Sequence, residues 1–331
     1  MNQPSPDSQE VVRLDDLAVH FPITRGVWRR RVGTVKAVDG VSLAVKRGEI
    51  LGLVGESGCG KTTIGRTVIR LYKPTSGSVW FEGQDISNLN ERALKPVRRR
   101  MSLIFQDPSG SLDPRKSAGS IVGEPLRIHH LVENRRSYGE KVEQLFKLVG
   151  LDPSMIDRVP HEFSGGQRQR IGIARALACD PSLIICDEPV SALDVSMQAQ
   201  IMNLLQDLQE GLGGLAYIFI AHDLSVVRHV SDRVAVMYLG RIVELTESRM
   251  LYSSPRHPYT QALLAAVPIP DPFVEETRAG AVLEGEVPSP LNPPEGCTFH
   301  PRCPLCDPAC KTQVPQLREV AEGHYVSCLL A

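Results

Sequence analysis

Residues 50–63 read ILGLVGESGCGKTT and decide the fold of the chain. The first five residues are apolar and predict a buried strand, and the rest fit the pattern G-x-x-x-x-G-K-[ST] between a strand and a helix. Gly55, Gly58 and Gly60 allow the backbone to curl, so that consecutive N–H groups point inward at an anion, and the positive end of the following helix adds to that attraction. The stretch therefore predicts a loop that binds the phosphates of a nucleotide.

The polar side chains of this phosphate loop have separate expected tasks. Lys61 is expected to reach the β- and γ-phosphates, the Thr62 hydroxyl to bind Mg²⁺, and Thr63 to bond on the α-phosphate side. ATP and Mg²⁺ are therefore the expected cofactors. The predicted nucleotide contacts of the loop are Gly55, Glu56, Ser57, Gly58, Cys59, Gly60, Lys61, Thr62 and Thr63.

A second apolar run, residues 183–188 with the sequence LIICDE, ends in two carboxylates. Asp187 is expected to hold Mg²⁺, and Glu188, just beyond the strand, to orient or deprotonate the water that attacks the γ-phosphate. Two adjacent acids at a strand end are otherwise common as a solvated strand terminus. The phosphate loop in the same chain favours the catalytic interpretation.

The composition is that of a globular chain of about two domains. The 331 residues are 42% apolar and 23% charged, and 37 Lys and Arg against 38 Asp and Glu give a formal charge of −1. The chain therefore has no global field to collect nucleic acid or anionic lipid. Apolar runs stay far below the roughly 18 residues of a membrane-spanning helix, and the start MNQPSPDSQE lacks the pattern of a secretory signal, so we expect a cytoplasmic chain.

Apolar runs alternate with amphipathic stretches up to about residue 265, which is typical of a parallel sheet covered by helices. Beyond this region, 13 of the 25 prolines follow residue 253, and five of the eight cysteines lie in residues 297–328. We therefore predict a disordered lead (1–10), a nucleotide-binding domain (11–265) and a C-terminal extension (266–331) with sparse regular structure. Strands are predicted at 41–45, 50–54, 79–81, 183–186, 216–221 and 234–238, and helices at 137–149 and 171–178.

A third motif, FSGGQ at residues 163–167 followed by RQRIGIARAL, resembles the LSGGQ sequence of ATP-binding cassette (ABC) ATPases. Ser164, Gly165 and Gly166 open a helix there, so that a hydroxyl and free N–H groups are available to an anion. In the ABC family that anion is the γ-phosphate held by the opposite subunit, and the resemblance implies this role for Ser164, Gly165, Gly166 and Gln167. A local helix cap by Ser164 is compatible with it.

Four further positions match motifs of this family. Gln106 in LIFQDP is similar to the Q-loop glutamine, which touches metal or water and couples the nucleotide state to the membrane partner. Asp194 in SALD resembles the D-loop residue that crosses between subunits, and His222 in IFIAHD resembles the switch histidine at the γ-phosphate. Phe21 falls where the family stacks an aromatic ring on adenine, and an ordinary strand-end aromatic is the alternative for this position. The resemblance thus implies a catalytic set of Glu188, His222 and Gln106, and a Mg²⁺ site of Thr62, Gln106 and Asp187.

Three longer stretches narrow the resemblance to the oligopeptide, dipeptide and nickel importers. They are VKAVDGVSL at 35–43 after a long basic insertion at 22–35, FQDPSGSLDPR at 105–115, and SPRHPYTQALLAAVP at 254–268. The insertion is similar to that of the second ATPase of such transporters. The resemblance implies an α/β fold of the P-loop NTPase type, an ABC cassette with a RecA-like core, an antiparallel β-subdomain, a helical signature subdomain and a small irregular extension rich in Cys and Pro.

The resemblance also implies an assembly. One copy of each motif predicts two ATPase subunits head to tail, with each ATP between Lys61, Asp187 and Glu188 of one chain and the SGGQ segment of the other. The implied partners are a second ATPase in a heterodimer, two transmembrane permeases and an extracytoplasmic substrate-binding protein. The chain would sit peripherally at the cytoplasmic face of the inner membrane and power the import of peptides, with nickel, glutathione and other small solutes left open as cargo.

The cysteines Cys297, Cys303, Cys310 and Cys328 resemble the arrangement that ends many of these ATPases. In some members such cysteines hold a [4Fe–4S] cluster, and four thiolates suit either an Fe–S cluster or structural Zn²⁺. Cys306 offers an alternative ligand. Reduced cysteines without a metal are the third interpretation.

A soluble ABC ATPase that acts on nucleic acid or ribosomes is the alternative function, because it would share every nucleotide contact named above. The arginines at 29–31 and 98–100 form basic runs of the kind that contact phosphates. The net charge, the single copy of each motif and the lack of sustained heptads favour the transporter. We therefore expect no nucleic acid partner.

Overall fold

Two sheets organise residues 9–26, 30–266 and 285–331, the parts of the chain that the computed structural model describes. The strands are β1 (Glu10–Arg25), β2 (Arg30–Lys46), β3 (Ile50–Val54), β4 (Ser76–Phe81), β5 (Gln84–Asp85), β6 (Met101–Ile104), β7 (Leu183–Asp187), β8 (Ala216–Ile220), β9 (Arg233–Tyr238), β10 (Arg241–Glu247), β11 (Arg318–Ala321) and β12 (His324–Val326). The first sheet is antiparallel, in the order β2-β1-β4-β5. The main sheet has the order β11-β12-β10-β9-β3-β8-β7-β6.

Helices fill the connections between these strands. Several begin at a side-chain cap, since Asn134, Ser164 and Asp194 each accept a hydrogen bond from the N–H three residues on and so satisfy a group that the helix start leaves unpaired. The helices are α1 (Lys61–Val68), α2 (Glu91–Arg98), α3 (Pro108–Ser111), α4 (Ala118–Val122), α5 (Glu124–Ile128), α6 (Arg135–Leu148), α7 (Gly165–Leu177), α8 (Val195–Leu212), α9 (Leu224–Val230), α10 (Ser248–Ser253) and α11 (Pro258–Ala265).

The centre of the main sheet is parallel and covered on both faces. β9, β3, β8, β7 and β6 run parallel to one another, whereas β10 pairs antiparallel with β9. In β7, Leu183 and Ile185 belong to the core shared with α1 and the antiparallel sheet, whereas Ile184 and Cys186 belong to the core shared with α4 and α6–α9. Because both faces are buried, these strands are continuous apolar runs.

The described part of the C-terminal extension, residues 285–331, joins the main sheet. β12 pairs antiparallel with β10, and β11 pairs with β12. Glu244 of β10 is fully buried; its carboxylate lies 2.7 Å from Nε2 of His324 in β12 and accepts the N–H groups of Arg256 and His257. A buried carboxylate needs such partners, so Glu244 ties the extension and the start of α11 to the sheet.

The sequence predicts the central strands closely. The strand predicted at 50–54 has these bounds, and those at 183–186, 216–221 and 234–238 are β7, β8 and β9 within one residue. The helices predicted at 137–149 and 171–178 begin earlier, at Arg135 and Gly165, because their caps lie upstream of the apolar repeat. The strand predicted at 41–45 is only the end of β2. Residues 1–8 and 267–284 lie outside the described residues, so the lead at 1–10 and the boundary at 265 stay predictions.

Candidate functional site

Four neighbouring parallel strands bring the predicted site residues to one edge of the main sheet. The phosphate loop follows β3, and Gln106 follows β6 by two residues. Asp187 is the last residue of β7, Glu188 comes directly after it, and His222 follows β8 by two residues. The carboxyl ends of parallel strands share one edge of a sheet, which is where ligands bind in open α/β folds. The predicted loop, metal ligand and catalytic residues therefore lie at one location.

The backbone of the phosphate loop requires its glycines. Gly55, Gly58 and Gly60 have φ of 149°, 78° and 112°, a region that side-chain-bearing residues rarely adopt. A Cβ on Gly55 would lie 2.1 Å from the carbonyl oxygen of Met237, and one on Gly60 would lie 2.1 Å from that of Ala37. The loop is thus packed against β9 and β2, and its turn is fixed by close backbone approach.

The first two residues of α1 carry the cation and the hydroxyl that are predicted to bind the nucleotide and its metal ion. Lys61 is 5% exposed, and its ammonium donates to the carbonyl oxygens of Gly55 (2.7 Å) and Glu56 (3.0 Å). The next residue, Thr62, donates its hydroxyl to Oδ1 of Asp187 at 2.8 Å. A buried ammonium, a hydroxyl and a carboxylate form a donor set that fits a magnesium-bound polyphosphate.

Asp187 is buried, and burial is the main cause that raises its pKa above the ordinary aspartate value. The Thr62 hydroxyl, and Arg66 at 4.0 Å, work in the opposite direction. A carboxylate that is costly to bury gains from a cation placed beside it. The position thus suits a metal ligand better than a solvated strand end.

Glu188 is the meeting point of the predicted catalytic residues. Its Oε2 accepts the amide of Gln106 at 2.9 Å and lies 3.3 Å from Nδ1 of His222. Its backbone has φ of 49°, a strained conformation for a side-chain-bearing residue, and its N–H donates to the carbonyl of Ile220. Strain of this kind is found where a side chain must be aimed, and here it turns the carboxylate toward Gln106 and His222.

The SGGQ segment forms the start of α7. Ser164 and Gln167 form a capping box: the Ser164 hydroxyl accepts the Gln167 N–H at 3.3 Å, and the Gln167 side chain accepts the Ser164 N–H at 3.0 Å. Asp194 caps α8 by accepting the N–H of Met197. In the part of the chain that the structure describes, no hydrogen bond joins residues 164–167 to the phosphate loop of the same chain. Ser164 is exposed at this helix start, Gly165 and Gln167 are half-buried, and Gly166 is buried.

Phe21 lies on β1, is 36% exposed and stands edge-on to Tyr72, with ring centroids 5.3 Å apart. Tyr72 follows α1, and its hydroxyl accepts a hydrogen bond from Arg66. The sequence does not predict a role for Tyr72, because an aromatic residue after a helix has no distinguishing pattern. The two rings form one aromatic corner beside the helix that begins at the phosphate loop.

Comparison with known proteins agrees with this geometry. The family described as ABC transporter matches residues 38–191, and the oligopeptide/dipeptide transporter C-terminal region matches residues 243–310. The chain is 58% identical over 325 residues, 98% of each chain, to the oligopeptide transport ATP-binding protein AppF of Bacillus subtilis. This chain belongs to the ABC transporter ATPases. It is accordingly an ATP-hydrolysing enzyme.

Two further relatives set the extent of the likeness. The ABC ATPase is 52% identical over 332 residues to the oligopeptide transport ATP-binding protein OppF of Escherichia coli, covering 99% of this chain and 98% of that one. A solved dimer of the ATP-binding cassette MJ0796, in a post-hydrolysis state bound to ADP and Pi, superposes with a TM-score of 0.64 at 29% identity over 72% of this chain and 99% of that chain. The cassette fold predicted from the motifs is confirmed.

The ABC ATPase also has contacts to its phosphate loop that its sequence does not predict. The Glu56 N–H donates to the hydroxyl of Tyr259 in α11 at 3.0 Å, and the Glu56 carboxylate accepts two hydrogen bonds from Arg302 of the C-terminal extension at 2.8 and 3.1 Å. These residues are 203 and 246 positions away along the chain. The stretch HPYTQALL suggested a family extension, and nothing in it indicated a contact with the loop.

The cysteines of the extension are neighbours of one another. The Cys297 N–H donates to the Cys310 carbonyl at 2.8 Å, and burial, with smaller effects of Cys310, Cys328 and Cys303, raises the pKa of the Cys297 thiol to about 11. Among the described residues, no three His, Cys, Asp or Glu side chains are arranged to hold a metal ion. The observed arrangement therefore does not form a ligand set for a [4Fe–4S] cluster.

None of the helices in the residues that the structure describes is long and apolar enough to cross a bilayer.

Proposed function

We propose that this chain powers peptide import through an ABC transporter by hydrolysing ATP. The gathering of Gln106, Glu188 and His222 beside the bonded pair of Thr62 and Asp187 carries the catalytic part of the proposal. The match of residues 243–310 to a peptide-transporter region, and the peptide-transport names of AppF and OppF, support peptides as cargo. They favour transport over action on nucleic acid or ribosomes.

In the proposed reaction a water molecule attacks the γ-phosphorus, a new P–O bond forms, and the bond to the β,γ-bridging oxygen breaks to give ADP and phosphate. Glu188 orients the water and accepts its proton, and His222 contacts the γ-phosphate. Lys61 exchanges its loop carbonyls for the β- and γ-phosphate oxygens. Thr62, Asp187 and Gln106 would hold Mg²⁺, which supplies positive charge to those phosphates.

The second half of the site comes from another ATPase subunit in this proposal. The helix start at Ser164, Gly165, Gly166 and Gln167 would contact the γ-phosphate of the opposite chain, and Asp194 would lie at the same interface. The dimeric structures of MJ0796 and the separation of this segment from its own phosphate loop support that arrangement. Phe21, with Tyr72 behind it, would stack on adenine.

The proposed assembly is a heterodimer of two ATPases with two permeases and an extracytoplasmic binding protein. The chain would attach peripherally at the cytoplasmic face of the inner membrane. Residues 11–265 would form the nucleotide-binding domain, and 266–331 the extension. The names of the relatives identify oligopeptide transport systems, which supports this setting.

Native purification tests the transport part directly. The tagged chain would be extracted gently from native membranes and its companions identified by mass spectrometry. We expect two multispanning permeases and a second ATPase. Recovery from the soluble fraction alone, or with nucleic acid or ribosomes, would contradict the proposal.

The Glu188→Gln substitution tests the catalytic part. We expect ATP binding to persist and turnover to fall by roughly 10²- to 10³-fold, because the amide cannot take the proton of the attacking water. The matched control is Glu210→Gln, which removes the same charge from the exposed side of α8 and should hydrolyse ATP like the unmodified chain. Near-normal turnover by Glu188→Gln in a steady-state phosphate-release assay would remove Glu188 from its role.

The [4Fe–4S] cluster on Cys297, Cys303, Cys310 and Cys328, or with Cys306 in place of one of them, stays a prediction from the sequence. Its support is the spacing of these cysteines in the sequence, because the described side chains form no group that could hold a metal ion, and the ATPase steps do not involve them. Iron, zinc and acid-labile sulfide analysis of anaerobically purified chain decides between cluster, zinc and free thiols.

A further inference from the structure

Arg302 of the C-terminal extension forms a salt bridge with Glu56 of the phosphate loop. Arg302 donates from Nη1 to Oε2 of Glu56 at 2.8 Å and from Nη2 to Oε1 at 3.1 Å, a two-bond pairing of the kind that gives arginine its geometric specificity. The Arg302 side chain is only 5% exposed. Its hydrogen bonds with Glu56 raise the pKa of Arg302 above the usual arginine value, so it is a permanent cation here.

An aromatic cluster places Arg302 at that point. Phe299, three residues earlier, is buried against Tyr238 of β9 and Tyr259 of α11, with ring centroids 5.3 and 5.4 Å away. The Arg302 N–H donates to the Phe299 carbonyl at 3.0 Å, so a short turn links the anchor to the cation. The guanidinium also lies 5.9 Å from the centre of the Tyr238 ring. The position of Arg302 is therefore built into the packing of the extension.

Every polar group of Glu56 is engaged. Its N–H donates to the Tyr259 hydroxyl, its carbonyl accepts from the Lys61 ammonium, and its carboxylate receives Arg302. One residue of the phosphate loop thus joins α11, the lysine expected at the phosphates, and the extension. The side chain of Glu56 carries a negative charge within the loop that must accept a polyanion.

We propose that Arg302 is a positioning residue for ATP that acts through Glu56, by neutralising the negative charge of its carboxylate. The inference rests on the proposed nucleotide site. An unpaired Glu56 carboxylate would repel the phosphates of ATP. The repulsion would be strong because the carboxylate is partly buried, and charges in such surroundings interact far more strongly than in water. Through this pair, the fold of the C-terminal extension sets the affinity of the cassette for ATP.

The test is the equilibrium binding of ATP with Mg²⁺ to the purified full chain, measured by titration calorimetry. Arg302→Gln should weaken ATP binding about tenfold, because it leaves the carboxylate uncompensated. Glu56→Gln leaves a cation uncompensated and should strengthen binding. The double variant removes both charges and should return to within about threefold of the unmodified chain, and Arg302→Lys, which keeps the charge, should bind within about threefold as well.

The direction of the two single variants separates the proposal from a merely structural role. Loss of structural support would weaken ATP binding in both Arg302→Gln and Glu56→Gln and would not be repaired in the double variant. Either of those results, or an unchanged Arg302→Gln, overturns the proposal. If Arg302→Gln does not fold, as judged by circular dichroism, the other two variants test the proposal. Weaker ATP binding by Glu56→Gln, or a loss of more than about threefold in Arg302→Lys, would then overturn it.

A separate control tests the nucleotide site itself. Lys61→Ala should lose ATP binding whatever the role of Arg302, because it removes the cation expected at the phosphates. If the unmodified chain and Lys61→Ala bind ATP alike, the proposed nucleotide site fails. If only the Arg302 series deviates from expectation, the site stands and the positioning role fails.

Discussion

At the residue scale, the site combines side chains from the ends of neighbouring strands with a salt-bridge partner from the C-terminal extension. Lys61, Asp187, Glu188 and His222 each belong to short motifs at strand ends, and the parallel sheet brings strand ends together whatever the rest of the chain does. Arg302 reaches the loop from 246 residues away, through packing that no local pattern records. Contacts of this kind follow from how a late segment folds back, and only the structure reveals them.

His257 makes the stability of the folded chain depend on pH. It is 1% exposed, its Nδ1 accepts the Tyr259 N–H at the start of α11, and burial lowers its pKa to about 4. The folded protein therefore binds this proton less readily than the unfolded chain, whose histidine titrates near 6.5. Its contribution is complete above pH 6.5 and declines as the pH falls toward 4, with a loss of about 1 kcal/mol expected at pH 5.5.

Urea unfolding at pH 7.5 and pH 5.5 checks this expectation. His257→Asn keeps an oxygen that can cap α11 but removes the titratable imidazole. The free energy of unfolding of this variant should therefore fall less between the two pH values than that of the unmodified chain. His229→Asn, on the exposed side of α9, is the matched control and should keep the original difference. Equal pH dependence in all three proteins would contradict the assignment.

At the element scale, the start of a helix is set by its capping side chain as well as by its apolar repeat. The repeat alone placed α6 and α7 too late, since Asn134 and Ser164 act before the first apolar residue. β11 and β12 escaped prediction because short strands have little pattern of their own and form against the edge that β10 offers. β12 therefore forms because it pairs with β10, a strand far away along the chain, and β11 forms because it pairs with β12.

The cap of α7 combines a structural task with a proposed functional one, and a matched pair of substitutions separates them. Ser164 and Ser117 each accept a helix N–H at 3.3 Å, at the starts of α7 and α4. Ser164→Ala and Ser117→Ala should each lower the free energy of unfolding by about 1 kcal/mol. Only Ser164→Ala should also lower ATP turnover in the assembled transporter, because only Ser164 is proposed to contact nucleotide.

Chemical denaturation and phosphate release in reconstituted vesicles measure the two effects. Equal turnover by the two variants would place Ser164 among purely structural caps. A stability loss confined to one of them would show that the two caps are not equivalent.

At the scale of the whole molecule, the single copy of each motif predicts pairing, and the pairing should depend on ATP. The Glu188→Gln chain, mixed with the second ATPase of its importer carrying the corresponding substitution, should form a stable pair with ATP and Mg²⁺ and separate without nucleotide. Blocked hydrolysis removes the step that reopens the pair. Light scattering coupled to gel filtration measures the mass.

Three outcomes would count against this arrangement. A mass that stays that of single chains with ATP would exclude nucleotide-driven pairing. A pair that is equally stable without nucleotide would show that ATP does not close it. A pair formed by this chain alone would make the assembly a homodimer.

The strand order of the main sheet also has a consequence for biosynthesis. β10 is made before β12, the strand that covers its outer edge, and more than seventy residues separate them. During translation the N–H and C=O groups along that edge await a partner, and an open edge can pair with a strand of another nascent chain. The yield of correctly folded protein should therefore depend on how quickly the ribosome delivers the segment that closes the sheet.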